Sequence, residues 1–374
     1  MLIKLERASD GIALDTTNLD EVNTLIVSSD QDRVVKVVAG NMSFLAETNV
    51  PITVCFVDGV IRVENSIINF SKHTLLEFGQ SCRIHVSKCG KFVYVGIPKT
   101  QTVNVYEYIN DTEETRLVIS KFRLANSVTV NFLPNFGKAI KQIPGNKLLV
   151  LSDVGVSAIN LDTFKEESTS TLKDISALAQ YDSTIFAGTT DPFKGGTLSK
   201  LNLETNDEFV PVEMSQKPPF SFGTSISSNL HYMAVGCPKT CFKKGEIVLF
   251  RGDEYYGTLS HNLHINQGTS LVLTRDNTLL VACDRAVAIW DVVHKLYLGS
   301  INISGKITGM AIANYGATVF VSTKGGDGII ALRKAKNEWV TSSVVMGDWT
   351  AISSNQSGSV VAATTCNNDV KIFA

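Results

Sequence analysis

The sequence predicts an all-β chain. Three observations carry this reading. Short apolar runs of strand length recur along the whole of its 374 residues. Turn-forming residues separate the runs, and no amphipathic helical stretch of three or more turns interrupts them. The pattern is clearest at residues 269–301, where TSLVLTRDN, TLLVACD, AVAIWDV and KLYLGSI make four strand-length runs. Within AVAIWDV, alternation puts Val287 and Ile289 on one face and Ala288 and Trp290 on the other.

The same grammar recurs. ITGMAIANYG, ATVFVSTK, GIIALRKA and EWVTSSVV span residues 307–345. Residues 223–261, 176–214, 136–172 and 79–122 each hold four comparable runs, as do 11–48 and the shorter stretch 51–78. The final segment, WTAISSNQSG, SVVAATTC and DVKIFA, supplies only three runs. Four-stranded units spaced about 35–50 residues apart are the signature of a β-propeller. The expected fold is therefore a single propeller domain over 1–374 with seven to nine blades, nine by repeat count. A propeller must join its first and last blades to remove open sheet edges. The unpaired run LIKLERA at the N-terminus is the expected closing strand, with residues 2–7 completing the last blade at 349–374. Residues 123–135 are left to extend a blade or to cross over its neighbour.

Three places resemble the WD40 family: AVAIWDVVHKLYLGSI at 286–301, NNDVKIFA at 367–374 and DQDRVVKVV at 30–38. The resemblance makes Trp290 and Asp291 the structural repeat motif that ends a third strand. Only one copy carries this dipeptide, and the Gly-His pair typical of the family is missing. FGTSISSNLHYMAVGCPKTCFKKGEIVLF at 222–250 and FGQSCRIHVSKCGKFVYVGIPKTQTVNVY at 78–106 also resemble FG-GAP blades. The acidic calcium loop of such blades is absent, so the resemblance implies no calcium site.

Composition narrows the function. Hydrophobic residues are 44% and charged residues 19%, enough apolar material for a large core. A net charge of −2 provides no general basic face for nucleic acid. No run approaches the ~18 apolar residues of a membrane helix, and the charged N-terminus does not read as a signal peptide. Seven scattered cysteines, an odd number, read as free thiols in a reducing compartment. The expected setting is intracellular and cytoplasmic.

Candidate chemistry is sparse. CPKTCFKK at 237–244 pairs Cys237 with Cys241, but structural zinc needs a second ligand pair, which only His231, His261 or His264 could supply through space. The same loop presents Lys239, Phe242, Lys243 and Lys244, a basic and aromatic set that could hold an acidic protein surface or a phosphate backbone, or serve as a solvated turn. The glycine-rich stretches 191–197 and 323–329 lack the spacing of a phosphate loop and read as hairpin turns. Asp153, Asp284 and Asp327 each flank a third strand and so share one rim, as turn residues or as channel acids. No catalytic motif, metal or cofactor is expected. The functional expectation is a non-enzymatic protein-interaction scaffold, a subunit of a larger assembly. The alternatives are an enzyme or small-molecule binder using the central channel, and a structural component of a viral or other particle.

Overall fold

A computed structural model describes the backbone of seven strands between residues 2 and 65, and the chain from 73 to 374 apart from 109–121, 131–132, 182, 191–194, 203–207, 215–217, 239–243, 263, 265, 314–315 and 336–337. From residue 73 onward the chain forms a seven-bladed β-propeller of four-stranded antiparallel sheets. Blade one comprises Arg83–Val86, Phe92–Ile97, Thr102–Tyr108 and Phe122–Thr129. Blades two to six follow in order at 139–170, 175–211, 225–259, 271–302 and 306–345. Each is a meander whose first strand lies innermost.

Blade seven takes Trp349–Ser354, Val361–Thr365 and Val370–Phe373 from the C-terminus, and its fourth strand is Thr74–Leu76. This corrects the expected closure. Leu2–Arg7 pairs with Ala13–Asn18 and Val34–Ala39, not with the last blade. The repeat count of nine is corrected to seven as well. The two N-terminal copies are interleaved: one sheet has the order 13–18, 2–7, 34–39, 42–47, and a second has the order 22–26, 51–57, 60–65. An apolar run announces a strand but not its partner, so crossed pairings look like sequential ones in sequence. Of the eighth copy's described runs, TLL belongs to blade seven and the first two lie in the second N-terminal sheet, while SIINFS falls outside the described residues. The stretch 122–129, read as unassigned beyond Phe122, is the outer strand of blade one.

The core lies between blades. Tyr232, Leu249, Leu279, Ala288 and Trp290 form one apolar cluster shared by blades four and five. Val287 belongs to the next cluster, with Ile307, Val319 and Leu332 of blade six. The alternation read from AVAIWDV is therefore two packed faces. Second strands contact neighbours on both sides, so Met233–Cys237 and Thr278–Ala282 are buried at every position and read as continuous apolar runs. Blades seven and one share a cluster too, in which Ala362, Val370 and Ile372 meet Cys82, Val86, Val93 and Val95. Close approach between blades needs glycine at defined points. Gly223, with φ of +87°, precedes the inner strand of blade four, where an added Cβ would lie 2.8 Å from the carbonyl oxygen of Thr189 in blade three.

Candidate functional site

In a meander blade, the turn after the inner strand lies at one end of the propeller axis and the turn after the second strand at the other. At the first end a cavity of about 1030 Å³ opens among the inner strands. All seven blades line it, with Lys88 from blade one, Lys141 from two, Gln180 from three, Ser228 from four, Arg275 from five and Ser354 from seven.

Its wall is held by a repeated hydroxyl pair. SISSN at 225–229 and AISSN at 351–355 occupy equivalent inner strands. The first serine of each pair accepts an amide from the following blade: Leu273 N donates to Ser227 Oγ at 2.9 Å, and Val86 N donates to Ser353 Oγ at 3.0 Å. The second serine donates backwards, Ser228 Oγ to the Gln180 carbonyl and Ser354 Oγ to the Ile312 carbonyl. The asparagines that follow close the turns, Asn229 Oδ1 accepting the Tyr232 amide at 2.8 Å and Asn355 Oδ1 the Val360 amide at 2.9 Å. The inner strands of blades four and seven are thus stitched to those of the neighbouring blades by side-chain hydroxyls.

The electrostatics of the cavity are one-sided. Lys88, Lys141 and Arg275 line it, and no carboxylate does among the described residues. None of the three cations has an ion-pair partner among the described residues. Burial lowers the Lys141 pKa, and the neighbouring charge of Lys88 lowers it further. His85 stacks near Tyr94, with ring centroids 6.2 Å apart, and its buried Nε2 has no hydrogen-bond partner. Burial, then Lys141 and Lys88, bring its pKa down to about 3, so the imidazole is neutral at physiological pH. The Gln142 Oε1 accepts the Lys88 amide at 3.3 Å, which leaves the Gln142 amide nitrogen as a donor.

The residues singled out from sequence lie elsewhere. Lys239, Phe242, Lys243 and Cys241 fall outside the described residues. Lys244 lies at the opposite end of the propeller, on the turn after a second strand. It is exposed but held, its Nζ donating to Asn262 Oδ1 at 3.1 Å and its carbonyl accepting the Gln267 amide at 3.3 Å. Asp153, Asp284 and Asp327 also occupy turns at that end, on three blades. Asp153 pairs with Lys138 at 3.1 Å and accepts from Asn135 at 2.6 Å, and Asp327 accepts the Ser304 amide at 3.1 Å. The zinc ligands considered from sequence are not brought together among the described residues. Cys237 is buried, and His264 Nε2 bonds the Tyr297 hydroxyl at 2.9 Å.

Trp290 is 4% exposed and packs edge-on against Tyr297, with centroids 5.2 Å apart. Its Nε1 has no partner, so the hydrogen-bond network of a typical Trp-Asp repeat is not built on it. Asp291 instead caps its own turn, accepting the His294 amide at 3.1 Å and His294 Nδ1 at 2.7 Å.

Sequence reasoning passed over Lys88, Lys141 and Arg275 because they lie far apart in the chain. Their common signal was positional, a basic residue within or just after the inner strand in three of the copies.

No family model matches the chain, and no curated protein does. Among solved structures, a chain of Kuenenia stuttgartiensis hydrazine synthase superposes with a TM-score of 0.63 at 13% sequence identity, covering 81% of this chain and 98% of that one. At that identity the likeness shows the fold alone. The β-propeller is the part of the WD40 and FG-GAP resemblances that the structure carries.

Proposed function

We propose that this chain is a non-enzymatic protein-interaction platform and a subunit of a larger intracellular assembly. The outer strand of blade five supports this reading best. Along Leu296–Asn302, alternate side chains face away from the sheet, and Leu296 and Leu298 are 56% and 55% exposed. Val293, in the turn just before, is 40% exposed. A row of large apolar side chains on an outer strand is a surface of the kind that partners cover. A rigid ring of blades holds such a surface without reorganising, which lowers the entropic cost of docking. The buried thiols of Cys82, Cys237 and Cys283 fit a reducing compartment.

Cross-linking mass spectrometry in the native lysate tests the reading. Lys295 lies beside the strand and is exposed. The expected result is cross-links from Lys295 to other proteins, lost when Leu296→Glu and Leu298→Glu are combined. A chain that runs as a free monomer in the lysate, with only internal cross-links, would contradict it.

A further inference from the structure

We propose that the axial cavity binds a small anion carrying several phosphoryl groups, held by Lys88, Lys141 and Arg275. The inference is independent of the platform reading, because it concerns the channel and not the outer strands. Three observations converge on it. The cations come from blades one, two and five, so they approach a central ligand from separate directions. They have no counter-ion among the described residues, in a chain whose net charge is −2. The cavity, at about 1030 Å³, is of the size that takes a whole small molecule.

The ligand class follows from the donors. The Arg275 guanidinium offers a planar fork suited to paired oxygens, and the two lysines offer point charges. A single carboxylate could not engage cations spread over three blades. A chain of phosphoryl groups distributes its oxygens and charge widely enough to do so. Gln142 adds a neutral donor beside Lys88, and the unpartnered His85 Nε2 adds a polar group at the wall. The depressed pKa of Lys141, set by burial and by Lys88, marks a charge that an anion would relieve. Binding is therefore expected to draw a proton onto Lys141 at alkaline pH.

The test is isothermal titration calorimetry of the whole chain with inorganic tripolyphosphate at about 50 mM and about 300 mM salt. The expected result is saturable binding that weakens with salt, and that weakens at least about tenfold further in Lys141→Met or Arg275→Gln. Lys99→Ala removes an exposed cation on the turn after the second strand of blade one, at the other end of the propeller, and should leave affinity unchanged. Lys141→Met deletes an unpaired charge and should melt no lower than the parent, so lost binding will not be lost folding. Titration over a series of pH values in buffers of different ionisation heat should show an interval of proton uptake in the parent that is missing in Lys141→Met. A phosphoinositide headgroup shares this chemistry. Phosphatidylcholine vesicles containing phosphatidylinositol bisphosphate that sediment the protein and release it on adding tripolyphosphate would assign the same cavity to the headgroup, and failure of these vesicles to sediment it would assign the cavity to a free oligophosphate. No binding at the lower salt, or equal weakening by Lys99→Ala and Lys141→Met, overturns the proposal.

Discussion

The backbone amide of Val86 donates to the hydroxyl of Ser353 at 3.0 Å, joining the inner strands of blades one and seven. Those residues are 267 positions apart in the chain. Val86 is 1% exposed, so Ser353→Ala would leave a buried amide without an acceptor, at a cost of about 1–3 kcal/mol. Ser227→Ala should cost a similar amount, because Leu273 is equally enclosed. Ser354→Ala removes only a donor to a carbonyl at the channel wall and should cost less than about 1 kcal/mol. Chemical denaturation of the three variants checks the order, and equal losses would refute the distinction.

Gly223 and Gly145 separate backbone strain from steric clash. Both have positive φ, +87° and +77°, but nothing lies within 4 Å of an added Cβ at Gly145. Gly145→Ala should therefore cost about 1 kcal/mol from conformation alone. Gly223→Ala adds a contact with the neighbouring blade and should cost well over 2 kcal/mol, read as a lowered denaturation midpoint.

Trp290 acts as packing volume. With Nε1 unpartnered, Trp290→Phe loses no hydrogen bond and should cost far less than Trp290→Ala, for which about 3–5 kcal/mol is expected. Near-equal losses in the two variants would mean that the indole nitrogen has a structural partner.

His85 sets an acid limit. Its folded pKa is lowered to about 3 from 6.5, chiefly by burial and then by Lys141 and Lys88. The unfolded chain therefore binds the extra proton first, and stability falls as pH drops from 6.5 towards 3. The linkage amounts to about 2 kcal/mol by pH 5. His264 and His73, also lowered mainly by burial, act in the same direction. Asp153, Asp253, Asp276 and Asp291 have lowered pKa values as well, but lose their contribution only below the ordinary carboxylate range. Thermal melts between pH 7 and 5 should thus show a decline that His85→Phe flattens. An unchanged slope in that variant would remove His85 from the account.

The blade grammar was legible because each second and third strand packs on both faces. Such a strand must be apolar almost throughout, as TLLVACD and AVAIWDV are. The repeated ISSN was visible in the letters of two copies, yet its meaning was not. The hydrogen bonds it makes run to blades whose neighbourhood is a property of the closed ring. The same distance problem hid the channel cations, each an unremarkable basic residue near a turn.

Alternation, turn chemistry and repeat spacing in the sequence alone determined an all-β chain built of four-stranded units, and put Ala288 and Trp290 on a different face from Val287. Tertiary structure alone decided that seven of those units make the ring, that Thr74–Leu76 and not Leu2–Arg7 completes the last blade, and that Lys88, Lys141 and Arg275 share one cavity. The physical reason is that strand character is local, written in side chains a few residues apart. Strand partnership is a competition between edges, settled by which apolar faces meet when the whole chain folds.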